Sequence, residues 1–190
     1  MDNQNPLALL IFWLIVIKVF FHALGFSMKA RWIIHWLRHA ELISEMSPCP
    51  RGKVGAFIID ERNNPLSAGY NGPPRGACGE LCGGEVCTRS ERAIASGTST
   101  EVGCHHAEQN ALMNALHKGV SVAGCVLVVT TPPCLGCARL IHHSGIHKVI
   151  IGNATYSSEG VEYLSFHGVI VSAPSIIKLR SAVATDHLDR

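Results

Sequence analysis

Two short segments of the chain combine residue types that bind metals with a residue type that transfers protons. They are the HAE triplet at 106–108 and the PCLGC segment at 133–137. Cysteine thiolates and histidine imidazoles are ligands that Zn²⁺ prefers, and a site with three protein ligands leaves the fourth tetrahedral position for water. His106, Cys134 and Cys137 are therefore predicted to ligate a catalytic zinc ion. Glu108 follows the histidine by two residues, so it can face that water without ligating the metal.

Such a site supports hydrolysis. Bound zinc lowers the pKa of its water from about 15.7 to roughly 7 and supplies hydroxide at neutral pH. Glu108 is predicted to take the water proton, pass it to the ring nitrogen of a base and later protonate the leaving ammonia. A lone HAE triplet is more often an ordinary helix start, and a lone CxxC a structural zinc half-site or a redox pair. Both together, in this order and with the proline in place, are typical of zinc nucleobase deaminases.

The two segments fall where the sequence pattern predicts helices to begin. Helical periodicity or composition indicates helices at 28–45, 107–118 and 135–144, and Pro174 favours another helix after it. Apolar and β-branched runs predict five strands, at 54–60, 66–70, 125–130, 147–151 and 169–172. The turn-rich ERNNP indicates an antiparallel hairpin, whereas the later alternation of strands and helices implies parallel pairing. We therefore expect an α/β protein, a three-layer α/β/α sandwich around a five-stranded mixed sheet.

The composition is that of a folded domain of ordinary size. The chain has 190 residues, of which 16% are charged, and a formal net charge of +2. This length can bury a core without disulfide or metal staples, and the apolar content argues against disorder. A mean hydropathy of +0.23 is too small for a protein with several membrane spans. The small net charge gives no support to a strongly basic surface, so no nucleic-acid partner is expected.

Five segments of the sequence carry a resemblance to a known family. They are CPRGKVGAFIID, GYNGPPRG, HAEQNAL, TPPCLGCARLI and SGIHKVII. Over 28–171 the chain resembles the deoxycytidylate deaminase branch of the cytidine deaminase superfamily. The resemblance implies a cytidine deaminase-like fold, zinc-dependent hydrolysis of dCMP to dUMP and ammonia, a homo-oligomer, and dCTP and dTTP as allosteric effectors.

The resemblance also implies contacts with a bound nucleotide. Asn71 would hydrogen-bond the sugar, the backbone of Ala107 would contact the pyrimidine edge, and Tyr156 would pack near the nucleotide. Arg75, in the GPPRG loop, is the candidate for the 5′-phosphate, because it would bring a bidentate donor close to Asn71. The alternative for Arg75 is a solvated loop arginine.

The cysteines do not suggest a disulfide framework, because the chain has neither the size nor the signal of a small secreted domain. Some members of the branch hold a second, structural zinc in the insert between the YNG and HAE motifs, and the resemblance implies such a site here. Its predicted ligands are Cys49, Cys78 and Cys87, with Cys104 or Cys82 as the fourth. His105 is also available. Free thiols in a reducing cytosol are the alternative.

The first 27 residues differ from the rest of the chain. The stretch from Leu7 to Phe26 is apolar apart from Lys18 and His22, is long enough to cross a bilayer, and has no signal cleavage site. The deaminase-like layout begins at Met28, which predicts an apolar extension at 1–27 and a zinc-dependent deaminase domain at 28–190. Translated sequence upstream of the true start, a membrane anchor and an extra packed helix are three interpretations of the extension. We expect a cytoplasmic protein, associated with a membrane only if the extension is genuine.

Two other functions stay open at this point. One is deamination of a related base or nucleotide, such as dCTP, guanine or a tRNA adenosine. The near-neutral charge weakens the tRNA version, since that substrate demands a basic surface. The other is a membrane-tethered binding module with a catalytically silent deaminase fold, against which the presence of all four zinc-site residues argues.

Overall fold

The computed structural model describes residues 28–77, 86–95, 102–153 and 158–175. The strands are β1 (Gly55–Ile59), β2 (Pro65–Tyr70), β3 (Val126–Val129), β4 (Lys148–Ile151) and β5 (Ile170–Ser172). The helices are α1 (Ala30–Ser44), α2 (Thr88–Glu91), α3 (Ala107–His117), α4 (Leu135–His143) and α5 (Glu159–Phe166). The five strands form one sheet in the order β2-β1-β3-β4-β5, which confirms the predicted α/β fold.

The sheet is mixed because β1 runs antiparallel to both of its neighbours, whereas β3, β4 and β5 are parallel. The predicted hairpin of β1 and β2 is present. Asp60 closes its turn, since Oδ1 accepts the backbone N–H groups of Arg62 and Asn64 at 2.8 and 2.7 Å. Between them Asn63 has a φ of 64°, a left-handed conformation in which asparagine is enriched.

Helices cover both faces of the sheet. On one face, α1 buries Trp36 and Leu37 against the apolar side chains of β1, β3 and β4. This helix lies so close to β1 that a Cβ on Gly55 would collide with the carbonyl oxygen of Ala40. On the other face, α3, α4 and α5 contribute to a second buried apolar cluster. The described residues therefore form the expected three layers.

The sequence pattern predicts neither α2 nor α5. The helix α2 is a single turn within a stretch that reads as irregular. Along α5 only Gly160 and Leu164 are buried, and a glycine near a helix start weakens a helix prediction. The structure explains this glycine, because a Cβ there would collide with the carbonyl oxygen of Pro133.

Two of the predicted segments lie outside the described residues: the extension at 1–27 and the helix after Pro174. Within the described ranges, no helix is both long and apolar enough to span a membrane. The division of the chain at residue 28 stays a prediction.

Candidate active site

The predicted metal ligands stand at the beginnings of two helices. His106 is the N-cap of α3, and Cys134 is the N-cap of α4. The backbone N–H of His106 donates to the side-chain oxygen of Gln109 at 2.8 Å, which fixes the first turn of α3. The backbone N–H of Cys137 donates to Sγ of Cys134 at 3.5 Å. Because helix N-termini favour negative charge, both positions suit thiolates and carboxylates.

The three ligand side chains meet at distances that suit one zinc ion. Nδ1 of His106 lies 3.5 Å from Sγ of Cys134 and 3.5 Å from Sγ of Cys137. Zn–N bonds of about 2.0 Å and Zn–S bonds of about 2.3 Å at a tetrahedral angle would separate nitrogen from sulfur by about 3.5 Å. Over the described ranges, this is the only group of three such side chains that could hold a metal ion. The donor set and its spacing therefore fit zinc.

The two thiols differ in acidity because they share a hydrogen bond. The Cys137 thiol donates to Cys134, and this bond, with a smaller contribution from His106, lowers the pKa of Cys134 to about 3. The same bond and burial raise the pKa of Cys137. The hydrogen bond with Cys134 raises the pKa of His106 although burial opposes it. Zinc binding requires both cysteines as thiolates, so it would release the proton of the Cys137 thiol.

Glu108 is a buried carboxyl beside the ligand group. Its side chain is 3% exposed, and Oε2 has no hydrogen-bond partner among the described residues. Burial is the main influence on this carboxyl and raises the pKa of Glu108 to about 7, against the opposing effects of the helix backbone and of His106. A carboxyl of that pKa can both accept and return a proton near neutral pH. Because a buried oxygen without a partner is costly, Oε2 marks a place for water or substrate.

A cavity of about 280 Å³ lies next to this carboxyl and is lined by His106, Glu108 and Cys134. Arg51, Lys53 and Arg89 bring three cations to the same cavity. Each of them donates to a backbone carbonyl: Arg51 to Ile94 at 3.1 Å, Lys53 to Glu45 at 3.0 Å and Arg89 to Ala95 at 3.2 Å. The cavity therefore combines a proton-transfer group with a positive lining that suits an anionic ligand.

Asn71 orders the loop that carries two of these cations. Its Oδ1 accepts the backbone N–H of Val54 at 2.7 Å, and its Nδ2 donates to the carbonyl of Gly52 at 2.9 Å. Its own carbonyl accepts the hydroxyl of the buried Ser47 at 2.6 Å. Asn71 also lines the cavity. The predicted sugar contact stays a prediction, and the loop-ordering role is one that the sequence analysis did not include.

The structure separates the other predicted substrate residues. Ala107 is fully buried and lines the cavity. Arg75 is exposed, donates to Oδ1 of Asn114 on α3 at 3.3 Å, and does not belong to the cavity lining. Tyr156 lies outside the described residues. The structure thus brings Ala107, but not Arg75, to the candidate site.

The predicted second zinc site is described only in part. Cys49, Cys87 and Cys104 all line the cavity, whereas Cys78 and Cys82 lie outside the described residues. The three described cysteines do not by themselves form a metal-binding group in this part of the chain. Next to Cys104, the buried Nδ1 of His105 has no hydrogen-bond partner among the described residues. The second zinc stays a prediction.

The three cations of the cavity are not among the site residues predicted from the sequence. The CPRGK run directly before β1 offered a signal for Arg51 and Lys53, because cations that flank a buried strand lie at the sheet edge. Nothing comparable marks Arg89, which reaches the cavity from α2. Its position depends on how the insert folds against the 51–54 loop.

Comparison with protein families gives one match. The family described as "Cytidine and deoxycytidylate deaminase zinc-binding region" matches residues 30–153, which include all four residues of the HAE and CxxC group. This range covers more than half of the chain.

Individual relatives agree with this match. The deoxycytidylate deaminase of Mycobacterium phage D29 is 35% identical over 125 residues, which are 63% of this chain and 92% of the phage protein. The human deoxycytidylate deaminase is 33% identical over 125 residues, 66% of each chain. Among solved structures, dCMP deaminase from the cyanophage S-TIM5 in complex with dCMP and dUMP has a TM-score of 0.63 and 31% identity, covering 77% of this chain and 98% of that one.

Proposed function

Because the chain belongs to the cytidine and deoxycytidylate deaminase family, we propose that it hydrolyses dCMP to dUMP and ammonia. One observation carries the proposal: Glu108, with its unpartnered buried oxygen, lies beside a three-ligand zinc group at the wall of a single cavity. The similarity to the phage and human deoxycytidylate deaminases supports dCMP as the substrate.

His106, Cys134 and Cys137 would hold the metal ion. When bound, zinc lowers the pKa of a water molecule to about 7 and so supplies the nucleophile at neutral pH. Glu108 accepts the proton of the attacking water and delivers it to the ring nitrogen of cytosine. It then returns a proton to the departing amino group, so that water and dCMP give dUMP and ammonia. Burial of Glu108 keeps bulk water from competing for these protons.

Three cations in the cavity support a phosphorylated substrate over a free nucleoside. We assign the 5′-phosphate to Arg51 and Lys53, because Asn71 holds their loop at the cavity by two side-chain hydrogen bonds. Arg89 adds a third positive charge from the opposite segment of chain. The earlier candidate, Arg75, stays a prediction, since its guanidinium contacts Asn114 outside the cavity.

Ammonia release from dCMP, CMP, dCTP, deoxycytidine and guanine tests the proposal in zinc-loaded protein. We expect dCMP to be preferred, and Glu108→Gln to lower kcat by about 10²–10⁴-fold with zinc retained, because the proton carrier is lost. Full activity of the Glu108→Gln variant would exclude the mechanism, and preference for dCTP or guanine would move the proposal to another substrate of the family.

Two arginine variants test the phosphate assignment. Arg51→Gln is expected to raise KM for dCMP at least about tenfold and to leave the low activity on deoxycytidine unchanged, because only dCMP has the phosphate to lose. Arg75→Gln is the matched control and should leave KM within about twofold. If Arg75→Gln raises KM for dCMP and Arg51→Gln does not, Arg75 binds the phosphate. If the unmodified chain acts equally on dCMP and deoxycytidine, the site does not require a phosphate.

We further propose the second, structural zinc, held by Cys49, Cys78, Cys87 and Cys104. Its support is that three of these cysteines line one cavity, and that His105, next to Cys104 in the chain, has a buried Nδ1 without a hydrogen-bond partner among the described residues. A metal-to-protein ratio near two, falling to near one in Cys87→Ser, is the expected result. A ratio near one in the unmodified chain would leave these residues as free thiols.

The remaining family-level expectations are proposals of the same kind: a cytoplasmic homo-oligomer that responds to dCTP and dTTP. Size-exclusion chromatography and activity assays with and without each nucleotide test both points, and a nucleotide-insensitive monomer would reject them. Mass spectrometry of the natural N-terminus tests the extension at 1–27. A native peptide that begins at Met28 would support an upstream start and exclude a membrane anchor.

A further inference from the structure

The helix α3, which carries Glu108, donates hydrogen bonds to carbonyl groups of β2 that point away from β1. In the described sheet β2 is an edge strand, next to β1 alone. The carbonyl of Gly55 accepts the backbone N–H of Thr130 at 3.0 Å, on the β3 side of β1. Gly55 is paired with Tyr70 of β2, and because the Gly55 carbonyl points to β3, the two residues do not exchange hydrogen bonds. The carbonyl of Tyr70 therefore faces away from β1. Ala68 lies two residues earlier, so its carbonyl faces the same way.

Two asparagines of α3 donate to these two carbonyls. Nδ2 of Asn110 lies 2.8 Å from the carbonyl oxygen of Tyr70, and Nδ2 of Asn114 lies 2.9 Å from that of Ala68. Residues four apart share one side of a helix, and residues two apart share one side of a strand, so the two spacings match. The result is a pair of parallel cross-links between α3 and the edge of the sheet.

The backbone contact beneath these cross-links is very close. The hydroxyl of Ser67 donates to the carbonyl of Ala111 at 2.7 Å. A Cβ on Gly69 would collide with the carbonyl oxygen of Ala107 and the backbone nitrogen of Ala111. The helix therefore lies directly on the strand, and its axial position is set by directional hydrogen bonds.

The two asparagines differ in what lies nearby. The backbone N–H of Asn110 donates to the carbonyl of His106 at 3.0 Å, and its Nδ2 also approaches the carbonyl of Gly72 at 3.5 Å. Gly72 in turn exchanges two backbone hydrogen bonds with His105, at 3.1 and 3.0 Å. Asn114 is one turn further along α3, away from these groups. Asn110 therefore joins the end of β2 to the metal-binding start of α3.

We propose that Asn110 is a positioning residue for the reaction: it sets His106 and Glu108 in register with Asn71 and the cation-bearing loop. The inference rests on the proposed function. Without the Asn110 amide, the first turn of α3 keeps its contacts with Ser67 and Gly69 but loses its link to the end of β2. A displacement of about 1 Å between reacting groups can lower a rate by about 10²-fold. Asn114 makes an equivalent bond to β2 but has no such connection to the site.

The test compares Asn110→Ala with Asn114→Ala in the zinc-loaded full chain. Each variant removes one amide bond to a β2 carbonyl and one longer contact, with Gly72 for Asn110 and with the exposed Arg75 for Asn114. We therefore expect melting temperatures that agree within about 2–4 °C. Asn110→Ala should lower kcat for dCMP by about 10–10²-fold and allow a chelator to remove zinc at a lower concentration. Asn114→Ala should keep kcat within about twofold and retain zinc like the unmodified chain. Asn110→Asp, which keeps the shape but loses the donor, should behave like Asn110→Ala.

Equal losses of kcat in both alanine variants, or unchanged kcat in Asn110→Ala, would overturn the inference. A chain that deaminates none of the substrates would contradict the proposed function instead. In that case chelator resistance still decides: an Asn110→Ala variant that releases zinc more readily than Asn114→Ala supports the positioning role, and identical release rejects it.

Discussion

The helices α3 and α4 each present metal ligands from their first turn and each pack into the apolar core, but α3 is held to β2 by directional contacts as well. The helix α3 contacts β2 through hydrogen bonds from Ser67 and Asn110 and through the bare backbone of Gly69. Both helices also contribute to the same apolar cluster, α3 with Ala111 and Leu112 and α4 with Ala138 and Ile141. Apolar burial is non-directional and follows area, whereas hydrogen bonds require defined distances and angles.

This difference in how the two helices contact the sheet follows from the number of metal ligands that each helix carries. Cys134 and Cys137 belong to one turn of α4, so the helix itself sets their spacing. His106 has no ligand partner on α3 and must be placed relative to a distant segment of chain. We infer that the helix with a single ligand needs directional bonds to the sheet, whereas apolar packing is sufficient for the helix with two. Four variants test this comparison.

The largest loss of stability is expected from Ile141→Ala on the α4 side. Ile141 is fully buried, and truncation to alanine leaves a cavity that costs about 3 kcal/mol in the free energy of unfolding. For a domain of this size the melting temperature should fall by about 6–12 °C. Urea denaturation measures the loss, and kcat at a temperature where the variant is folded should stay within about threefold. A much larger loss of kcat would show that apolar packing also sets catalytic geometry.

An intermediate loss of stability is expected from Gly69→Ala on the α3 side. The added methyl group meets the backbone of α3, which cannot move aside like a flexible side chain. We expect a cost of about 2 kcal/mol, as for other overpacked sites, together with a roughly 10²-fold decrease in kcat because α3 is displaced. Thermal denaturation and steady-state kinetics measure the two quantities.

Gly160→Ala is the matched glycine variant for α4, since its Cβ would meet the carbonyl of Pro133 beside Cys134. It should cost a similar free energy but act chiefly on zinc retention. If Gly69→Ala instead lowers stability without changing kcat, the directional contact has no catalytic consequence and the comparison fails.

The smallest effect is expected from Asp60→Asn in the β1–β2 turn, remote from both helix starts. Burial raises the pKa of Asp60, but hydrogen bonds from Asn64 and Arg62 outweigh it and lower the pKa overall. A lowered pKa in the folded state contributes stability above the unfolded value of about 3.9 and loses it as the pH falls through the folded value. The variant should be less stable by a few tenths of a kcal/mol at pH 7, since solvent screens this carboxylate.

Denaturation of the unmodified chain and of Asp60→Asn between pH 7 and pH 3 shows whether the Asp60 carboxylate stabilises the fold. The difference between them should disappear at the acid end, while kcat at pH 7 stays unchanged. A difference that grows toward low pH would mean that Asp60 is destabilising as a carboxylate.

The parts of the site that could be predicted from the sequence are local. The ligands and Glu108 sit at short spacings next to helix starts, so HAE and CxxC identify them without any tertiary information. The cations could not be predicted in this way, because Arg51 comes from a loop and Arg89 from α2, and no local sequence pattern describes the contact between these segments. Arg75 is close to Asn71 in sequence, but the intervening turn carries it to the surface of α3.

The fold shows the same limit. The buried strand β3 consists of four consecutive apolar residues and is predicted within one residue at each end. The helix α5 is not predicted because it contains Gly160, and glycine weakens a helix. The structure requires a glycine there because a Cβ would collide with Pro133. In the sequence, Asn110 and Asn114 are ordinary polar residues of a helix, and only the structure shows that both donate to carbonyls of β2.

The two asparagines that occupy the β2 carbonyls also bear on how copies of this chain could associate. An uncovered edge strand is a template on which another strand can pair, and natural proteins block it to avoid aggregation. Here two outward acceptors of β2 already receive amide donors from α3. A second copy cannot extend the sheet across this edge without displacing them. Self-association that leaves this contact between α3 and β2 intact would therefore have to use surfaces other than the β2 edge.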